Sequence, residues 1–252
     1  MKKRSNTNSS NHKIILAILF IAIGVAIGIS LTPREVKEAY DILSLQGETR
    51  VSMNILAINN RGDGVFSRLT TQVRPGNGLV LLNINDVLAD YYSQYSSRVA
   101  AKIASDYTNI SLKNIDVVYN IQANATAIEG SSAGSAMAVS TIAALQNRQL
   151  NPKVVITGSI NEDGTLGDVG AVRQKGIAAK EAGAEIMLIP KGSLRHEADV
   201  KEEKSCGEYN NIQYCEIKYV SQPTDIGKDI GIKIIEVANI NEAMSYFYQA
   251  SN

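Results

Sequence analysis

The chain has 252 residues, 25 Lys and Arg against 25 Asp and Glu, 44% hydrophobic and 6% aromatic residues, and only two cysteines and two histidines. A formally neutral chain has no electrostatic footprint for wrapping nucleic acid. Two Cys and two His, with His12 in a polar N-terminal tail, do not suit a zinc module or a disulfide-dense scaffold, so no metal is expected.

Residues 14 to 31, IILAILFIAIGVAIGISL, carry no charge, and the uncharged stretch runs on to Pro33, twenty positions between Lys13 and Arg34. As a helix it measures roughly 30 Å, the thickness of a bilayer hydrocarbon core. Lys2, Lys3, Arg4 and Lys13 precede it, whereas Arg34, Glu35, Lys37 and Glu38 after it cancel. The positive-inside rule makes residues 1–13 a cytoplasmic basic tail and 14–33 a single-pass signal anchor in the cell membrane, with the remaining 219 residues extracytoplasmic. A cleaved signal peptide is the alternative, but its apolar region is usually about 7 to 15 residues long and ends at a small-residue cleavage site. This run is longer and ends in SLTPREV. The neutral total is therefore a cancellation: residues 1 to 33 hold four basic and no acidic groups, leaving 21 basic against 25 acidic groups in the rest.

Pro33 ends the anchor, and the helical spacing of EVKEAYDIL predicts a stalk helix within 34–47. The domain proper is expected over 48–252. TRVSMNILAI and VFSRLTTQV read as two strands joined by a turn at Gly62-Asp63-Gly64, and GLVLLNI as a third. Asp86 is expected to cap a long helix whose apolar residues Val87, Tyr91, Tyr95, Val99 and Ile103 recur at fourfold spacing. IDVVYNIQ is a further strand. Helix, strand, helix, strand then follow at 132–147, 153–160, 170–182 and 185–190, which predicts an α/β fold, α+β with a mixed sheet. The polar stretch 199–231 reads as an insertion and holds both cysteines. A two-residue turn at Asn210-Asn211 would set Cys206 opposite Cys215 with Cα atoms about 4.5 Å apart, within reach of a disulfide. An extracytoplasmic location permits that bond; two unpaired thiols in a loop are the alternative.

The segment from Ser131 to Asn147 has no charge, yet too many polar residues for a second membrane span, and reads as a buried helix of small residues. Ser132 stands at its N-terminus, where backbone N–H groups and the helix dipole favour an oxyanion, although a serine there also serves as an ordinary cap. On the helix at 170–183, Ala171, Val172, Ala178, Ala179 and Ala182 lie within 60° of Lys175 at 100° per residue, with Ile177 the one residue that disagrees. Lys175 is thus the only charge on a small, core-facing stripe. It either snorkels to water or is kept neutral by desolvation, in which case it could take the proton of Ser132 as a Ser-Lys dyad. Thr157, in VVITGSI, is placed to hold the lysine amine, or is an ordinary β-branched strand residue.

EGSSAGSAMA, ITGSINEDGTLGDVGAVRQK and AAKEAGAEIMLIPK together resemble the proteolytic domain of Lon proteases, especially the archaeal membrane-associated branch. In that family the serine of an x-S-A-G element and a lysine 43 positions later form the dyad, matched here by Ser132 and Lys175, and a threonine 18 positions before the lysine is matched by Thr157. Glu129 matches an acidic residue that archaeal members place ahead of the serine, with Ser131 where they carry Asp; its implied role is electrostatic or structural. The resemblance implies a mixed α/β fold and an endopeptidase for unfolded or loosely folded polypeptides, needing no cofactor and assembling as a homo-oligomeric ring, commonly a hexamer. It departs from the family in two further respects: the cysteine-bearing stretch 199–231 looks like an insertion, and no G-x-x-x-x-G-K-[ST] element occurs, so no ATPase module is expected in this chain, and any ATP-driven unfolding would come from a separate partner.

Three other readings compete. G130-S131-S132-A133-G134 also fits the G-x-S-x-G nucleophile elbow of an esterase, with Asp168 and His196 following in order, but His196 sits in the charged run SLRHEADVKEEK. A signal-peptidase-like site would need a proline that Ser52-Met53-Asn54 lacks. A membrane-tethered pseudoprotease would bind peptides without cutting them.

Overall fold

The computed structural model describes residues 47–85, 89–122, 130–197, 199–209, 212–222 and 225–248. The tail 1–13, the apolar segment 14–33, all of the stalk but Gly47, and Glu129 lie outside them. Among the described residues no helix is long and apolar enough to cross a membrane.

Strands β1 (Thr49–Ile58) and β2 (Gly64–Pro75) form an antiparallel hairpin. Its turn is tied by Asn59, whose side-chain oxygen accepts the amides of Arg61 and Asp63 at 2.9 Å. β3 (Val80–Ile84) lies parallel to β4 (Ile115–Gln122), and β4 pairs antiparallel with β2, giving a mixed sheet in the order β1-β2-β4-β3. Between β3 and β4 runs helix α1 (Tyr91–Thr108). A 3-10 turn, Ser131–Ala133, leads into α2 (Gly134–Leu145), and a second, parallel sheet follows in the order β11-β8-β5, with β5 at Val154–Ile156, β8 at Ile186–Pro190 and β11 at Lys233–Val237. β6 (Ser159–Ile160) and β7 (Leu166–Gly167) make a small ribbon. Helix α3 (Val172–Glu181) is the crossover from β5 to β8, and α5 (Ile240–Phe247) follows β11. The fold is the mixed α/β one expected.

The two cores explain how the helices are placed. All twelve residues of α2 are buried, as the uncharged run requires. On β1, Val51, Met53 and Ile55 pack in the same cluster as α2. Leu56 packs instead with Val172, Ala178 and Ala179 of α3. Successive strand residues point to opposite faces, so the last turn of β1 is flanked by α2 on one side and α3 on the other. β8 repeats the division: Leu188 belongs to the first cluster, Met187 and Ile189 to the second.

Helix α2 is also fixed by hydroxyl groups. Ser140 and Thr141 both donate to the Met137 carbonyl, at 3.1 and 2.7 Å. Each hydroxyl has one proton, so the remaining two bonds have a determined direction: Thr71 donates to Ser140 at 2.6 Å and Tyr119 donates to Thr141 at 2.7 Å. Burial raises the pKa of the Tyr119 phenol, which keeps that proton in place.

Three sequence expectations change. The long helix is capped by Asp90, not Asp86: the Asp90 backbone is extended and its carboxylate accepts the Ser93 amide at 2.7 Å. The apolar stripe read on that helix is also wrong for the tyrosines. Tyr91 and Tyr95 are 73% and 46% exposed, while Ser93, Ser96, Ser97, Val99, Ala100, Ile103 and Ala104 are buried. A strict fourfold repeat advances about 40° per step, so a stripe that faces the core at Ile103 has rotated away from it by Tyr91. Finally, only part of 199–231 stands apart. Strands β9 (Asp199–Tyr209) and β10 (Ile212–Gln222) form an antiparallel hairpin, with Cys206 opposite Cys215, Cα atoms 4.0 Å apart and the sulfurs bonded. Helix α4 (Ile226–Ile230) instead docks on α3, with Arg173 paired to Asp229 at 3.2 Å and the Lys180 ammonium donating to the Ile230 carbonyl at 2.7 Å.

Candidate active site

Ser132 occupies the middle of the 3-10 turn ahead of α2. Gly130 starts that turn with φ 97°, a left-handed value that a side chain would strain. The Gly158 amide donates to the Ser132 carbonyl at 2.9 Å, and the Ser135 amide donates back to the Gly158 carbonyl at 3.1 Å. These two bonds stitch the turn to the chain just after β5. Thr157 is 1% exposed, and its hydroxyl donates to the Ser132 carbonyl at 3.5 Å. Its bond is therefore to the serine's backbone, rather than to the lysine amine that the sequence suggested.

Lys175 lies one turn into α3, 5% exposed, among buried Val172, Gly176, Ala178 and Ala179. Ile177, the misfit of the helical wheel, points outward at 44% exposure. Lys175 is the one buried lysine among the described residues, and burial pulls its ammonium from an ordinary 10.5 down to about 8. At neutral pH about one molecule in ten then carries the free amine.

One cavity of about 410 Å³ collects these groups: Ser132, Lys175, Gly130, Ala133 and the end of β1 with Asn59 and Asn60. Its geometry follows from the fold, because α2 and α3 flank the last turn of β1 and each contributes its residue there. The sequence pointed to both side chains but not to the wall between them. It also missed Gly64, the first residue of β2. A Cβ there would collide with the carbonyl oxygen of Gln174 and come within 3.2 Å of the backbone nitrogen of Lys175, so the bare glycine lets α3 approach.

The esterase constellation is not brought together: Asp168 is exposed and is not among the residues lining the Ser132 cavity. His196 lies in the 3-10 turn Ser193–Glu197, its side chain outside the described residues. Among the described residues no three His, Cys, Asp or Glu side chains converge as a metal site.

Residues 44–221 match the family model of the Lon protease (S16) C-terminal proteolytic domain. The chain belongs to this family. It is similar to the Lon protease of Methanosarcina barkeri, 24% identical over 63% of this chain and 20% of that protein. It is likewise similar to the Lon protease of Roseiflexus castenholzii, 31% identical over 56% of this chain and 18% of that protein. The Archaeal Lon protease of Archaeoglobus fulgidus is 27% identical over 64% of this chain and 26% of its own length. The chain thus spans about a fifth to a quarter of these relatives, and what it shares with them is a serine endopeptidase domain.

Proposed function

We propose that this Lon-type domain hydrolyses peptide bonds in unfolded or loosely folded polypeptides with Ser132 as nucleophile and Lys175 as general base. The observation that carries the reading is the shared cavity: a lysine with its charge disfavoured by burial opens onto the same space as a serine at a helix start. Neutral Lys175 takes the proton from the Ser132 hydroxyl as its oxygen attacks the scissile carbonyl. The oxyanion faces the first N–H groups of the turn, which have no upstream helical carbonyl to bond. The Gly158 amide is already committed to the Ser132 carbonyl and the Ser135 amide to the Gly158 carbonyl, which leaves the donors of Ser131–Ala133 for this task. The lysine ammonium then protonates the leaving amine, and the regenerated amine activates water to release the acyl group.

Substrate conformation follows from β1. It pairs with β2 alone among the described strands, so its outer edge beside residues 55–58 offers unpaired N–H and C=O groups to an extended peptide. An unfolded or loosely folded chain presents such an extended segment at any point along its length, which supports substrates of that kind. Thr157 supports the dyad through the Ser132 backbone; Glu129 is assigned an electrostatic or structural part on the family resemblance alone. The uncharged segment 14–33, with its basic flank, supports a cytoplasmic N-terminus, a single membrane crossing and an extracytoplasmic protease domain. Ring assembly of copies is the family's arrangement, and the 252 residues carry no phosphate-binding loop of their own to couple it to ATP.

The test is casein hydrolysis by the full chain in detergent. Ser132→Ala is expected to abolish cleavage with unchanged melting, since the residue is partly exposed and its hydroxyl makes no hydrogen bond among the described residues. Undiminished cleavage by that variant would remove Ser132 from the reaction.

A further inference from the structure

The turn that carries Ser132 is gripped from a distant element. The Gly130 amide donates to one carboxylate oxygen of Asp90 at 3.2 Å, and the Gly130 carbonyl accepts the Ser93 hydroxyl at 3.3 Å. The other Asp90 oxygen accepts the Ser93 amide at 2.7 Å and caps α1. Both backbone polar groups of the residue two before the nucleophile are therefore taken up by the start of α1, 40 residues away in sequence for Asp90.

We infer that Asp90 is a positioning residue for the hydrolysis, a two-oxygen bracket that ties the α1 cap to the Gly130 turn and sets where Ser132 stands. The inference rests on the proposed role of Ser132. A helix cap alone needs one acceptor oxygen, which Ser, Thr or Asn would supply. Only a carboxylate presents two acceptors at once and no donor, as this position requires. Burial opposes the charge, yet the bonds from Ser93 and Gly130 hold the Asp90 carboxyl below its ordinary value, so both oxygens accept throughout the neutral range. Charged acceptors make the stronger hydrogen bonds. The bracket matters because Gly130, at φ 97°, has no side chain of its own to hold the turn, and because its amide, once spent on Asp90, cannot compete for the oxyanion.

The variants separate the bracket from the cap. Asp90→Ser keeps an oxygen for the Ser93 amide but does not reach Gly130, and Asp90→Asn has one acceptor oxygen in place of two. Both are expected to lower kcat for a fluorogenic peptide by about tenfold to a hundredfold, as misplacement of a reacting group by about 1 Å does, with KM within about threefold. Both should slow covalent labelling of Ser132 by a fluorophosphonate in parallel, with the melting temperature of Asp90→Ser at the parent value. Asp90→Glu, which restores two acceptor oxygens, should recover part of kcat. Parental kcat in Asp90→Ser overturns the inference, as does a loss of kcat that only tracks a fall in melting temperature, since Asp90 is then a cap and nothing more. If Ser132→Ala cleaves as well as the parent, the dyad itself is wrong, and the bracket falls with it.

Discussion

Lys175→Met is expected to lower kcat by about 10³-fold or more while leaving the fold intact or more stable. The substitution keeps an unbranched side chain of similar length and removes the amine. Its surroundings, Val172, Ala178 and Ala179, are apolar, so methionine packs there without a desolvated charge to accommodate. Loss of activity with retained or raised melting temperature separates a chemical role from a structural one. A snorkelling lysine gives the opposite pattern, with cleavage retained and some stability lost with its packing. Activity within tenfold of the parent would exclude Lys175 as the general base.

The second large effect is at a residue with no chemistry. Gly64→Ala places a methyl group against the Gln174 carbonyl, which is backbone of α3 and cannot rotate away. Overpacking of this kind costs about 1 to 3 kcal/mol, and the upper end is expected because the obstacle is main chain. The only relief is for α3 to move off β2, and that movement carries Lys175, the next residue, away from Ser132. The variant should therefore lose activity even below its melting transition, measured as kcat at a temperature where circular dichroism shows it folded. Full activity in a folded Gly64→Ala chain would mean that the approach of α3 to β2 does not set the dyad.

These two residues also mark how far the sequence could be read. Lys175 was legible because a helical wheel exposes a lone charge on an alanine stripe, and α2 because an uncharged run of small residues has few places to go but the interior. Gly64 was read only as part of a turn, since its contact is with a helix more than a hundred residues later. Asp90 stood in plain view four residues after Asp86, and both suit a cap. What selects Asp90 is the Gly130 amide, which no local pattern announces. The tyrosines of α1 were assigned to the core by a fourfold repeat that drifts around the helix, and serines with little apolar surface were buried in their place. The parallel placement of β3 beside β4 was hidden for the same reason: strand order depends on partners, whereas periodicity reports only one strand at a time. The hydroxyl of Thr157 bonds the Ser132 carbonyl, a backbone group invisible to any pattern of side chains.

The pH dependence of kcat/KM between pH 6 and 10 reports the ionisation of the free enzyme's base, and so whether Lys175 is that base. In the proposed dyad Lys175 works only as the free amine, and burial lowers its pKa to about 8, so deprotonation, and with it the expected rate, increases as pH rises through that value. With Lys175 as the base, the profile has a rising limb with a midpoint near 8 that Lys175→Met removes along with the activity. A profile that is flat from pH 7 to 9, or one whose rising limb survives Lys175→Met and disappears with His196→Ala, would contradict it.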